Sequence, residues 1–357
     1  MLHDVEAVVL VGGKGIRLRP LTLSAPKPML PIAGVPFLAH LLSRIRAAGV
    51  RRVVLGTSYL AETFSEHFGD GAGLGLELTY VVEDRPLGTG GGIRNVTGQL
   101  RAEHVLVFNG DVLAGTDLRA VLDTHRRAEA DVTLHLVRVP DPRAFGCVPT
   151  DGSGRVLAFL EKTDDPPTDQ INAGCYVFRR SVLESIPQGR PVSVERETFP
   201  GLLAAGTRVQ AHVDDAYWRD LGTPADLVHG SADLVRGIAP SDALPGPPGE
   251  ALVLPGAVVA ADAKVCGGTT VGRGARIGAG AHVEGALVFD GAVIGAGATV
   301  VHSVIGAGAV VDAGATVVDS VIGDRAMIGA RCELRAGMRI WPDVVLPAGG
   351  VRFSPDD

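Results

Sequence analysis

Long apolar runs are missing from this sequence. None approaches the ~20 residues a membrane-spanning helix needs, so no membrane insertion is expected. The first apolar stretch, residues 7–11, follows Asp4 and Glu6, the wrong flank for a secretory signal. Cysteine is scarce: Cys147, Cys175, Cys266 and Cys332 lie far apart with no CxxC pair. That argues against a disulfide framework or zinc ribbon and for reduced thiols in a cytoplasmic protein. Basic residues are not in excess. Thirty-three Lys and Arg against 40 Asp and Glu give a formal charge of −7, so no nucleic acid partner is expected. Aromatics are 4% of the chain, and lysine occurs only at Lys14, Lys27, Lys162 and Lys264. Where Arg is the default cation, each Lys is a candidate for a specific task.

What is present points to two domains, because 357 residues exceed what one core usually spans. Up to about residue 235 the sequence alternates strand-like and helix-like segments. Residues 7–11, 52–55, 76–82, 105–108 and 132–139 read as strands; 36–49, 61–68 and 118–127 read as helices. This βαβα order predicts an α/β domain, a Rossmann-like, mostly parallel, three-layer sheet that collects ligands at the carboxyl ends of its strands. Residues 240–249, PSDALPGPPG, carry four prolines and sustain neither helix nor central strand. The expected domains are therefore 1–238 and 251–357, with a Pro-rich linker at 239–250.

Beyond the linker, aliphatic residues recur from Val253 to Leu346 in sixteen steps. Thirteen steps are six residues long; the three five-residue steps start at Val283, Val300 and Val317, themselves 17 apart. A hexad that holds phase this long predicts a parallel β-helix of about five coils, one aliphatic side chain buried per face, with one corner shortened by a residue in the middle coils. His282 and His302 fall inside the repeat without an evident partner and read as surface residues. The flat Gly/Ala-rich faces and open coil end suit a homo-oligomer formed through the β-helix.

The first strand runs into GGKGIRLRPLT, residues 12–22. Its glycines let backbone N–H groups approach a phosphate, yet neither GxxxxGK[ST] nor GxGxxG fits. Arg17 and then Lys27, fixed between Pro26 and Pro28, add cations suited to a triphosphate. With PLGTGG at 86–91, FNGD at 108–111, FGCV at 145–148, FLEK at 159–162, INAGCYVF at 171–178, SVERETFP at 193–200, WRDLG at 218–222 and the hexads, the chain resembles the sugar-1-phosphate nucleotidylyltransferases.

That resemblance implies a left-handed parallel β-helix of hexapeptide repeats after the nucleotidyltransferase domain. It also implies GTP and mannose 1-phosphate as substrates, with heptose or glucose 1-phosphate, dTTP or UTP, or a non-catalytic regulatory subunit as alternatives. Asp111 and Asp220 resemble the ligands of Mg²⁺, and Arg17 and Lys27 the contacts to the triphosphate. Lys162 resembles the cation that holds the sugar phosphate. Leu10, Gly12, Gly13, Gly15, Gly88, Thr89, Asn109 and Gly110 resemble nucleotide-binding positions; Gly146, Glu161 and Asn172 resemble sugar contacts. Where the family often has a small hydroxyl residue before the signature Arg, this chain has Ile16. Lys14 is left out, as are Glu195 and Glu197, which read as partners of Arg196 or as solvent-facing. Glu83, just before the PLGTGG loop, has a physical reason to read guanine: an ionised carboxylate accepts from both N1–H and the 2-amino group, and would meet uracil or thymine badly.

Overall fold

In the computed structural model, which describes residues 4–353, the first apolar run forms β1 (Val5–Leu10). Its side chains are buried on both faces, and parallel neighbours cover both edges: Ala7 pairs with Val53 on one side and Leu106 on the other. The other predicted elements follow in order, with one helix, α3, that the sequence does not predict because its residues read as a glycine loop. They are α1 (Phe37–Ala48), β2 (Arg52–Thr57), α2 (Glu62–Phe68), β3 (Glu77–Val82), the added α3 (Gly88–Val96), β4 (His104–Asn109), α4 (Leu118–Arg127) and β5 (Val132–Arg138). Next come β6 (Gly146–Cys147), β7 (Leu160–Glu161), β8 (Gln170–Arg179), β9 (Val209–Asp214), β10 (Trp218–Asp220) and α5 (Pro224–Val235).

Nine strands form one sheet in the order β7-β6-β8-β4-β1-β2-β3, with β5 bonded to β8 and β9. The β3-β2-β1-β4 half is parallel, as expected from βαβα order. Strand β8 departs from it, running antiparallel to both β4 and β5. A register shift between Asn172 and Tyr176 marks a bulge in β8.

The chain divides into two compact units: residues 1–13 with 41–218, and residues 14–40 with 219–357. The Gly-loop segment that carries Arg17 and Lys27 thus packs with the hexad coil. In that coil the strands form three six-stranded parallel sheets, consistent with a left-handed β-helix. Register partners are 18 residues apart at Lys264 and His282. They are 17 apart for His282 with Thr299, Thr299 with Thr316 and Thr316 with Glu333, and 18 again for Glu333 with Val351. The shortened corner is built on Gly285, His302 and Asp319, all in the left-handed region. Aliphatic positions from Val271 to Leu334 are buried at 2% exposure or less, so the hexad phase is the phase of the core. Val253 is exposed at 48%, and Val259, Val265 and Leu346 are only partly buried, because the end coils lack a neighbour on one side. Among the described residues no helix is long and apolar enough to cross a membrane.

In the first unit, Asp214 anchors a half-buried polar network. It accepts hydrogen bonds from His135 (2.9 Å), Thr116 and the Ala216 N–H (3.2 Å), with His212 3.7 Å away. Burial alone would raise its carboxyl, but the hydrogen bonds from His135 and Thr116, with His212 nearby, outweigh burial and hold it well below the usual range. His135 is lowered by its own burial and serves as a neutral donor. Asp214→Asn is expected to cost on the order of 3 kcal/mol in urea unfolding at pH 7. Because the folded carboxyl is depressed, that margin is present above the unfolded value of about 3.9 and is lost as pH falls below it, so variant and wild type should converge in acid.

Candidate active site

At the carboxyl edge of the parallel strands in the first unit, Leu10 closes β1, and Val11 N–H still donates to Gly56 O (2.9 Å). Gly12 and Gly13 follow, with Gly13 N–H on Ser58 Oγ (3.3 Å). From β4, Asn109 leads to Gly110, whose N–H donates to Leu10 O (2.9 Å). A Cβ on Gly110 would sit 2.5 Å from that oxygen, so only glycine lets the chain turn here and deliver Asp111 to the edge.

Asn109 packs against Gly174, which takes a positive φ, and hydrogen-bonds Tyr176. Asn172 donates from Nδ2 to the same Tyr176 oxygen (2.7 Å) and accepts Gly174 N–H (3.1 Å). Two predicted site residues are therefore tied through one buried phenol that sequence reasoning had not singled out. Burial keeps that phenol far above its ordinary value and thus neutral.

The loop after β3 is locked. Glu83 Oε2 accepts Leu87 N–H (3.3 Å), and its other oxygen lies against Gly92, where a Cβ would approach within 2.5 Å. Burial raises the Glu83 carboxyl, opposed by the Leu87 N–H. Gly90 and Gly91 both donate to Val192 O. The Thr89 hydroxyl donates to Glu195 (2.7 Å) and accepts Val194 N–H (2.9 Å), and Ser193 donates to the same carboxylate (2.8 Å). Glu195 is thus a bracket for the Gly88–Thr89 loop rather than a partner of Arg196 or a solvated side chain. Glu197 pairs with Arg190 at 2.9 Å instead. The only sequence signal was that Glu195 lies inside a motif of the resemblance. On the opposite side of the sheet order, Gly146 is in register with Glu161 in the β6–β7 pair, and a Cβ there would lie 3.0 Å from Glu161 Oε2. Lys162 follows, exposed and in the left-handed region at φ 47.

The second unit gathers the remaining predicted residues. Arg17 sits on a 3₁₀ turn, Ile16–Leu18, entered through Gly15 in a left-handed conformation. A Cβ on Gly15 would lie 2.9 Å from Thr22 and 3.3 Å from Lys27 Cβ, so this glycine lets the loop fold back on Lys27. Lys27 is 11% exposed, with Nζ 3.8 Å from Asp220 Oδ1. Asp220 ends β10 and is followed by Gly222 and by α5, whose N-cap Thr223 accepts Asp226 N–H (3.2 Å). A Cβ on Gly222 would sit 2.9 Å from Asp220 Oδ2 and 3.0 Å from Arg17 Nη2. The missing side chain leaves the space in which carboxylate and guanidinium converge. One nitrogen of Arg339, on the coil, donates to both Arg17 O and Arg19 O at 2.8 Å, and Ser24 donates to Asp324 at 2.8 Å. The hexad coil therefore braces the cationic loop.

The sequence model of the family described as nucleotidyl transferase matches residues 6–237, and that of the GMPPB C-terminal domain matches residues 248–351. The chain belongs to the nucleotidyl transferase family. This nucleotidyl transferase is 66% identical over 355 residues to the mannose-1-phosphate guanylyltransferase of Mycobacterium tuberculosis, covering 99% of each chain. It is 37% identical over 231 residues to the catalytic subunit beta of that enzyme from Drosophila pseudoobscura pseudoobscura, covering 64% of this chain and 62% of the other. Among solved structures it is similar to HddC from Yersinia pseudotuberculosis, with a TM-score of 0.57 and 29% identity over 64% of this chain and 99% of that one. Nucleotidyl transferases of this family generally use a divalent metal. Asp111 and Asp220 are hard oxygen donors at strand ends, a donor chemistry that fits such an ion.

Two substitutions test the geometry of the second unit. Gly222→Ala meets only the ends of flexible side chains, so the melting temperature should stay near wild type while kcat falls by about 10²-fold through displaced Asp220 and Arg17. Arg339→Ala should lower kcat on the order of tenfold without unfolding the coil, because Arg339 acts by holding the backbone at Arg17 and Arg19.

Proposed function

We propose that the protein transfers GMP from GTP to α-D-mannose 1-phosphate, giving GDP-mannose and pyrophosphate. The observation that carries this reading is the convergence on Asp220 of Arg17, in the space left by Gly222, and of Lys27 at 3.8 Å. Identity across the whole chain to a mannose-1-phosphate guanylyltransferase supports the choice of sugar and base.

The chemistry asks for little beyond position and charge. A phosphate oxygen of the sugar 1-phosphate attacks the α-phosphorus in line, and the bond from that phosphorus to the pyrophosphate oxygen breaks. No covalent enzyme intermediate is required. Arg17 neutralises the departing pyrophosphate and Lys27 the triphosphate. Lys162 holds the attacking phosphate, while Glu161, Asn172 and the backbone at Gly146 meet sugar hydroxyls. Asp111 and Asp220 would hold Mg²⁺, which when bound offsets the charge of the phosphate oxygens. The β1 and β4 turns, with Leu10, Gly12, Gly13, Gly15, Asn109 and Gly110, receive the nucleotide, and the Gly88–Thr89 loop wraps its base.

Glu83 reads guanine in this account, and its bond to Leu87 N–H fixes the carboxylate before the base arrives. The reading includes a cytoplasmic location, which the four free cysteines support. Self-association uses the coil, where Val258, Val293, Val310, Met327 and Val345 form one outward column of a single sheet with Arg276 among them. Sedimentation showing only monomer at micromolar concentration would remove that last element.

A pyrophosphate-release panel of GTP, ATP, UTP and dTTP against mannose, glucose and heptose 1-phosphates should give highest kcat/KM for GTP with mannose 1-phosphate. A best pair with another sugar or base would replace the assignment, and no turnover with Mg²⁺ would favour a regulatory subunit. Glu83→Gln should reduce the preference for GTP over UTP and dTTP by at least tenfold; unchanged preference would show that Glu83 is not the reader.

A further inference from the structure

The third sheet of the coil carries a side-chain cluster that nucleotide transfer does not use. Its first two strands are β11 (Lys264–Cys266) and β12 (His282–Glu284). Val283 is fully buried, so His282 and Glu284, one residue to either side, project from the outer face. Cys266 is the register partner of Glu284, which places its sulfur on that face as well. The donor atoms of Cys266, His282 and Glu284 all lie within 4.8 Å of one another.

The same outward positions of the next two coils are Thr299 with Val301 and Thr316 with Val318, β-branched residues of the kind an outward strand face favours. The first two strands carry Lys264, Cys266, His282 and Glu284 there instead, and the fifth carries Glu333 with Arg335; among the described residues, three metal-ligating side chains come together only in the first two. In each case these residues replace good sheet formers.

We propose that Cys266, His282 and Glu284 form a binding site for a borderline divalent cation such as Zn²⁺. One sulfur, one imidazole nitrogen and one carboxylate oxygen are the donor types this ion takes, at bond lengths of about 2.0–2.3 Å. His282 and Glu284 are already in contact at 2.8 Å and are 36% and 42% exposed, so solvent water can fill a fourth position. His282 Nε2 and Glu284 Oε2 share a hydrogen bond, which holds both donors toward one space. Binding replaces that hydrogen bond and the thiol proton: the Cys266 S–H gives up H⁺ to solvent as the sulfur–metal bond forms, one proton per ion. Lys264, in register with His282, faces the same carboxylate and opposes the ion. The site would staple the two strands nearest the open end of the coil. His282 is thus a paired residue, not the isolated surface histidine the sequence implied.

The test is an anaerobic Co²⁺ titration of the full-length protein. Tetrahedral Co²⁺ bound to a thiolate gives a near-ultraviolet sulfur-to-metal charge-transfer band, which two aspartates cannot produce. The expected result is one equivalent showing this band, displaced by Zn²⁺. Cys266→Ser should abolish the band, and His282→Ala and Glu284→Gln should each weaken Co²⁺ affinity by at least tenfold. All three variants should keep wild-type pyrophosphate release. Absence of the band at excess Co²⁺, or an undiminished band in Cys266→Ser, would overturn the site. Because the readout is spectroscopic, it stands or falls separately from the substrate assignment.

Discussion

A carboxylate beside two cations is a poor receptor for a triphosphate unless a divalent ion stands between them. Asp220 lies 3.8 Å from Lys27, and the space beside it is shared with Arg17. Without a metal the carboxylate cancels part of the attraction those cations offer; in the proposed reading, a bound ion would make it a ligand. Much of the second unit serves this juxtaposition. Gly15 lets the loop fold onto Lys27, Gly222 leaves room for the carboxylate and guanidinium, and the capped start of α5 fixes the strand end that carries Asp220. In the first unit Gly110 does the corresponding work for Asp111, closing on Leu10 O where no side chain fits.

The coil gains a role from the same constraint. A loop of glycines and arginines has little core of its own, and Arg17 is exposed. Arg339 and Asp324 supply what the loop lacks, taking up two backbone carbonyls and a serine hydroxyl. A cationic residue that binds a mobile polyanion is useful only if its backbone is held, since each ångström of play costs rate. The β-helix, rigid because each coil hydrogen-bonds to the next, is a suitable anchor.

The hexad coil was readable because one aliphatic residue per face is a one-dimensional signal, and even the shortened corner followed from the five-residue steps after Val283, Val300 and Val317. Its end effect was not: Val253 keeps the phase yet is exposed, since phase does not say where stacking stops. The parallel strands were legible from buried apolar runs, whereas antiparallel β8 was met only as a motif. Arg17 and Lys27 stood out as cations of the glycine loop, Asp111 as a carboxylate after a buried strand, and Asp220 through its resemblance to a metal ligand. Gly222, Arg339, Tyr176 and Glu195 did not. Gly222, Tyr176 and Glu195 sit inside motifs of the resemblance, yet no motif tells that Glu195 meets Thr89, that Arg339 meets Arg17 or that Gly222 leaves room for Asp220 and Arg17.

The most direct test is equilibrium binding of GTP to wild type and Asp220→Asn, each with and without Mg²⁺. If the carboxylate repels phosphate until an ion bridges it, Asp220→Asn should bind metal-free GTP more tightly than wild type while losing the Mg²⁺-dependent gain and most turnover. Weaker metal-free binding in the variant, or full Mg²⁺-dependent turnover without the carboxylate, would contradict the account.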